Sequence, residues 1–269
     1  MIKNARKPYF FSFFYYLARK LLLFQYIFMH FDMRNLPVVT KNILLANVIV
    51  WLLDSLLERY GVHLVEWFGL MNWSFSSFGN GYGSFHLWQL FTYMFMHANF
   101  SHLFCNMFAV LMFGPALERE WGERKFIVYY LVCGIGAALV QELVWMAFMP
   151  GQLSVTIGAS GAVFGILLAF GWLFPDVPLY LFFIPVPIRA RIFVIAYAVI
   201  ELFAGLANFS GDNVAHFAHL GGMLFGWLLI LCWQKGWFNG KWKDKIHLAS
   251  DRREKGERDF SGYHYHKSE

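Results

Sequence analysis

Two stretches of the chain, TIGASGAVFG at 156–165 and VAHFAHLGG at 214–222, hold residue types that do chemistry together. Ser160 offers a hydroxyl, and His219 offers an imidazole that can take its proton. A serine becomes a nucleophile when such a base lies within ~2.6–3.2 Å of it. Asn106, in the stretch HLFCN at 102–106, is a third polar residue in an otherwise apolar setting. Other chemistries fail on spacing. Ala162 stands where the soluble-hydrolase elbow G-x-S-x-G needs its last glycine. Neither an H-E-x-x-H zinc pair, a phosphate-binding glycine loop nor a dinucleotide fingerprint occurs. His97 and His102 are five apart, a spacing that does not share a helical face, and no metal site is expected.

Small residues accompany both reactive groups. Gly161 and Gly165 follow Ser160 as a small-xxx-small pair, continued by Ala169. Gly222 and Gly226 form the same pair three residues after His219. Such pairs let membrane helices approach backbone to backbone. Helices held apart by Leu or Phe could not bring a serine and a histidine into contact, so the glycines have a mechanical reason to be there.

The elements that carry these residues are apolar. The chain of 269 residues is 58% hydrophobic and 14% charged, with 31 Phe, 11 Trp and mean hydropathy +0.47. Soluble domains run nearer ~25% charged. Apolar stretches at 43–61, 102–117, 125–148, 153–174, 185–208 and 213–234 predict six spans, each near the ~20 residues a helix needs to cross a bilayer. The fold expected is an all-α polytopic membrane protein. Residues 62–101, rich in aromatics, Gly and Ser, read as a structured, membrane-associated loop between the first two spans. Cys105, Cys133 and Cys232 are scattered, with neither a disulfide framework nor a metal spacing.

Basic residues set the expected orientation. Lys3, Arg6, Lys7, Arg19, Lys20, Arg34 and Lys41 precede or open the first span. Arg119, Arg124 and Lys125 lie at the second connection, Arg189 and Arg191 at the fourth, and nine more Lys and Arg in the tail. The odd connections hold only Arg59. The positive-inside rule then puts both termini in the cytoplasm. Counted inward from the outer ends of spans two, four and six, Asn106, Ser160 and His219 reach ~7, ~10 and ~9 Å at ~1.5 Å per residue. Ser101 is the expected N-cap of the second span. Three polar groups on three co-directional helices thus share nearly one depth, open to the outer side.

Residues 1–34 are an N-terminal cytoplasmic or interfacial segment, 35–234 the six-span domain, and 235–269 a basic cytoplasmic tail. Arg19 and Lys20 sit at the centre of the apolar stretch 9–32. Each would cost roughly 2.5–3.5 kcal/mol in a spanning helix. That stretch reads either as an interfacial helix or as a leader upstream of a start at Met33.

The residues quoted above belong to an ordered set that resembles the rhomboid family of intramembrane serine proteases over roughly 33–234. The set runs WQLFTYMFMH at 88–97, HLFCN at 102–106, GASG at 158–161 and AHLGGMLFG at 218–226. The resemblance implies a six-transmembrane-helix rhomboid bundle. It implies Ser160 as nucleophile and His219 as general base, with His102, Asn106 and the Ser160 backbone forming an oxyanion hole. Gly158, Gly161, Gly165, Gly222 and Gly226 would pack the helices at the site. No cofactor is implied. Two positions depart from the family pattern: Gln89 follows Trp88 where bacterial members often carry Arg, and Phe164 stands where a tyrosine is common.

The expected activity is endopeptidase cleavage of single-pass transmembrane proteins near their outer end, through an acyl-enzyme. No third acid is evident beside His219, so a Ser–His dyad is expected. The location is the cytoplasmic membrane, with the bilayer and substrate helices as partners and no nucleic acid. The alternatives are an inactive rhomboid-like pseudoprotease that binds transmembrane helices, and a small transporter. The second rests on Asp54, Glu142 and Glu201, acids in the outer halves of spans one, three and five, because intramembrane acids can mark ion routes. Six spans with no inverted repeat weigh against it.

Overall fold

The computed structural model describes residues 35–74, 84–179, 187–207 and 215–236. The N-terminal segment 1–34, part of the first loop, Asn213 and nearly all of the tail lie outside the described residues. In chain order the elements are α1 (Val38–Glu58), α2 (Val65–Phe68), β1 (Leu70–Met71), α3 (Gln89–Thr92) and a 3-10 turn (Tyr93–Phe95). There follow α4 (Phe100–Trp121), α5 (Glu123–Phe148), β2 (Val155–Thr156), α6 (Ser160–Leu173), β3 (Pro178–Leu179), β4 (Ile188–Arg189), α7 (Ala190–Ala207) and α8 (His216–Gln234). The fold is a polytopic helical bundle. Among the described residues, α1, α4, α5, α7 and α8 are long and apolar enough to cross a membrane.

The fourth apolar stretch, 153–174, behaves differently. Helix α6 has 14 residues and starts at Ser160, not near Leu153 as the hydropathy suggested. At ~1.5 Å per residue it covers ~21 Å of a ~30 Å hydrocarbon core. The chain just before it is not helical. Val155 and Thr156 there form β2, which pairs antiparallel with β1 through Leu70↔Thr156 and Met71↔Val155. Non-helical backbone at membrane depth is tolerated only where protein covers it and its polar groups are bonded. Strand β1 supplies partners for β2, which ties residues 70–71 of the first loop to the segment before Ser160.

Helix α6 is apolar all round and is the buried centre of the bundle, with Gly161 through Leu167 all buried. Helices α5 and α8 pack against it and against each other, and α4 covers another side. Helices α1 and α7 form the rim. Ile49, Leu52 and Leu56 of α1, and Ile195, Phe203 and Leu206 of α7, are exposed, as residues facing lipid would be. Among the described residues, two rim-to-core ties run through glutamates. Glu118 of α4 accepts the Val39 and Thr40 N–H groups at 2.8 and 2.7 Å, capping the start of α1, and takes the Thr40 hydroxyl at 2.7 Å. A carboxylate there also meets the positive end of the helix dipole. The second tie, at Glu201, belongs to the site.

Helix α4 is capped by Asn99, whose side chain accepts the His102 N–H at 2.9 Å. Ser101, the cap expected from sequence, lies inside the first turn, and Asn99 has the extended backbone a cap requires. Gly122, at φ 80°, turns the chain from α4 straight into α5.

Candidate active site

Ser160 sits where the chain changes from strand to helix. Gly158 makes the change at φ 118°, a conformation that L side chains rarely adopt. A Cβ on Gly158 would fall 2.6 Å from His102 Nε2 and 2.7 Å from its Cε1, so only a bare backbone passes this close to α4. The Gly158 N–H donates to the Tyr93 carbonyl at 2.9 Å, which pins the turn. As the first residue of α6, Ser160 has an N–H with no carbonyl one turn back to bond. A span running helical from Leu153 would have consumed that donor.

The glycine pairs meet. A Cβ on Gly222 of α8 would collide with the Gly161 carbonyl of α6 and lie 2.7 Å from its carbon. Cβ atoms on Gly161, Gly165 and Gly226 would collide with Ala137, Cys133 and Tyr129 of α5 respectively. Here the small residues let three helices share one centre. With α6 and α8 in backbone contact, His219, the fourth residue of α8, comes to lie 2.8 Å from Ser160 Oγ through its Nε2. The Phe164 ring stacks on the His219 imidazole at 4.2 Å between centroids and 9° between planes. Phe164 is itself backed by Tyr197 of α7 at 5.2 Å.

Against the turn that presents Ser160 lie His102 and Asn106 of α4. Asn106 is buried, and one amide proton goes to the His102 carbonyl of its own helix at 3.1 Å. Its Nδ2 would be 3.7 Å from a Gly158 Cβ, so both α4 side chains face the turn that presents Ser160. His102 and Ser160 are half-buried, so both side chains lie on the edge of the bundle core.

Two partners escaped the sequence reading. His97 packs edge-on to His102 with ring centroids 5.0 Å apart. Their five-residue spacing excluded a shared helical face, but Met96 is extended and the helix starts at Phe100, so helical spacing does not apply. His97 is 2% exposed, and burial, reinforced by neighbouring His102, pushes its pKa down to about 4. More consequential is Glu201. Its Oε2 lies 2.8 Å from His219 Nδ1 and 2.7 Å from His216 Nδ1. The expectation that no acid faces His219 is therefore corrected. Only the crossing of α7 and α8 brings the acid there, 18 residues upstream.

Of the other acids suspected of marking an ion route, Glu142 accepts the Trp73 N–H at 2.9 Å and holds the first loop. Asp54 lies half-buried on α1. The ligand atoms of Glu201, His216 and His219 fall within 4.8 Å of one another, close enough for a metal ion. Their hydrogen-bond distances need only the Nδ1 protons.

The family model described as Rhomboid domain matches residues 84–235, more than half the chain and all of the site. The chain belongs to the rhomboid family. This rhomboid is 32% identical over 211 residues to the Bacillus subtilis (strain 168) protein named "Putative rhomboid protease YdcA", covering 75% of this chain and 92% of that one. It is 33% identical over 183 residues to "RHOMBOID-like protein 6, mitochondrial" of Arabidopsis thaliana, covering 64% of this chain and 52% of the plant protein. It is 28% identical over 193 residues to "Rhomboid-like protease 3" of Toxoplasma gondii, covering 72% and 68%. The rhomboid thus spans about half the length of the plant relative and nearly all of the bacterial one. Its departure at Gln89 has a clear structural use. The buried Gln89 side chain accepts from Met71 and His86 N–H at 3.3 and 3.1 Å and donates to the Trp67 and Ser84 carbonyls at 3.3 and 3.2 Å. A neutral amide that both donates and accepts ties the loop to β1, where an arginine could only donate.

Proposed function

We propose that this rhomboid is an intramembrane serine endopeptidase. The observation that carries the reading is the 2.8 Å contact between Ser160 Oγ and His219 Nε2, with Ser160 opening a helix. Cleavage begins when His219 takes the Ser160 proton and Oγ adds to a peptide carbonyl. The negative charge that develops on the carbonyl oxygen is held by the Ser160 N–H, the Asn106 amide and His102. Donors of this kind are worth ~2.7–4 kcal/mol each in other hydrolases. The amine leaves with the proton from His219, and water releases the acyl-enzyme by the same steps in reverse order.

The substrate class follows from access. A peptide bond must reach Ser160 in extended form, and a membrane helix exposes backbone only where it unwinds. The substrates are single-pass membrane proteins with helix-breaking residues near one end of the span. The distribution of basic residues supports cytoplasmic termini in the cytoplasmic membrane, with the site open to its outer face. The test is cleavage of a reporter transmembrane segment by the purified protein in proteoliposomes. Parent protein should cleave and become labelled by a fluorophosphonate, while Ser160→Ala should insert normally and do neither. Cleavage by Ser160→Ala at the parental rate would refute the mechanism.

A further inference from the structure

Helix α7 is a rim helix whose side chains mostly face outward; among its described residues only Ala190, Val194 and Glu201 are buried. A carboxylate in a membrane helix is costly unless it is paired and turned away from lipid. Glu201 turns inward, and one of its oxygens lies within hydrogen-bond distance of two imidazoles, His219 Nδ1 at 2.8 Å and His216 Nδ1 at 2.7 Å. His216 and His219 are three residues apart on α8, so they present their rings on nearly the same face. Both side chains are about nine-tenths buried, as is Glu201.

This arrangement decides a question that Ser160 and His219 leave open. A neutral imidazole carries one N–H, on either nitrogen, and only the Nδ1–H form leaves Nε2 free to accept the serine proton. A carboxylate facing Nδ1 selects that form and fixes the ring plane. We propose that Glu201 is a positioning residue for His219, making the site a Ser160–His219–Glu201 relay in which His216 braces the carboxylate. The inference rests on the protease reading above. Glu201 stays ionised throughout. When Nε2 takes the Ser160 proton, the imidazolium still donates Nδ1–H to Glu201, and the same Nε2 proton later passes to the leaving amine. The second hydrogen bond, from His216, occupies the same oxygen and restrains the glutamate from swinging toward the rim. Phe164, stacked on His219, restrains the remaining tilt of the ring.

The test uses the full chain in proteoliposomes with a fluorogenic transmembrane reporter, alongside Ser160→Ala. Glu201→Leu removes the acceptor yet suits an apolar rim helix, while Glu201→Gln keeps a neutral acceptor. Glu201→Leu should lower kcat by about 10²-fold, the lower end of what a positioned base contributes, with KM nearly unchanged. Glu201→Gln should fall between Leu and parent. His216→Phe should lose less than Glu201→Leu, because the carboxylate still faces the base. In protein labelled with 15N-histidine, His219 should show the Nδ1–H tautomer in the parent and a mixture in Glu201→Leu. A His219 ring protonated at Nε2 in the parent would overturn the relay whatever the cleavage rates. So would a Glu201→Leu variant that keeps kcat and the tautomer of a parent showing Ser160-dependent cleavage. A folded parent that shows no Ser160-dependent cleavage would sink the protease reading itself, and the relay with it.

Discussion

Replacing Gly222 by alanine tests the claim that glycine contact sets the catalytic distance. The added methyl would meet the Gly161 carbonyl group, with the carbonyl carbon 2.7 Å away and the Gly161 Cα 3.2 Å away. All of these are backbone atoms, so no rotamer can relieve the contact. Carbon atoms pack at about 3.5–4.0 Å, and α8 must therefore retreat from α6 by roughly 1 Å. If that displacement falls on the Ser160–His219 pair, its 2.8 Å contact opens to nearly 4 Å, outside the ~2.6–3.2 Å reach of a base. A misplacement of ~1 Å costs about 10²-fold in rate, and overpacking a tight core costs about 1–3 kcal/mol of stability. The assay is reporter cleavage in proteoliposomes with fluorophosphonate labelling and Tm measured in parallel. Gly114→Ala serves as a control. It adds a methyl where the nearest atoms are the side chains of Thr40 and Phe126 at 3.2–3.4 Å, a longer approach than the backbone clash at Gly222 and far from Ser160 in sequence. Expected is a loss of about 10²-fold in both cleavage and labelling for Gly222→Ala, against a small change for Gly114→Ala. Parental turnover in a folded Gly222→Ala protein would show that the helix approach does not set the distance.

Two further perturbations probe the other half of the site. Asn106→Ala should lower kcat by about 10²–10³-fold while leaving Tm almost unchanged. Among the described residues the side chain bonds to its own helix, and alanine suits that helix at least as well. Fluorophosphonate labelling should fall less than turnover, and equal activity in mutant and parent would reduce Asn106 to a packing group. His97 makes stability depend on acidity. Its folded pKa of about 4 lies below the ordinary 6.5, so the unfolded chain binds the proton first. The stability it contributes is complete above pH 6.5 and is lost as pH falls toward 4, up to a ceiling of about 3 kcal/mol. Tm in detergent from pH 7.5 to 4.5 should drop less steeply for His97→Leu than for the parent; identical slopes would contradict the assignment.

Much of this protein is legible in one dimension. Hydropathy locates six apolar stretches, because crossing a bilayer is a demand on local composition and length. Ser160, His219, His102 and Asn106 stand out because polar groups are few there, and the paired glycines stand out by their spacing. What hydropathy could not show is that the fourth stretch opens with a two-residue strand and turns helical only at Ser160. That depends on β1, more than 80 residues before Thr156, offering its backbone to β2. The consequence is chemical, since a helix that begins at Ser160 keeps a free N–H there and a helix that began at Leu153 would not.

The partners of the reactive groups were likewise out of reach. Glu201 is an ordinary suspect in an apolar helix until the crossing of α7 and α8 points it at two imidazoles. His97 looks out of register with His102 until the turn before α4 folds it back. Residue type and apolar length are properties of the chain. Which atoms lie 2.8 Å apart depends on how helices rotate and approach one another, and here that is set by bare backbone at Gly158, Gly161 and Gly222 meeting its neighbours across the bundle.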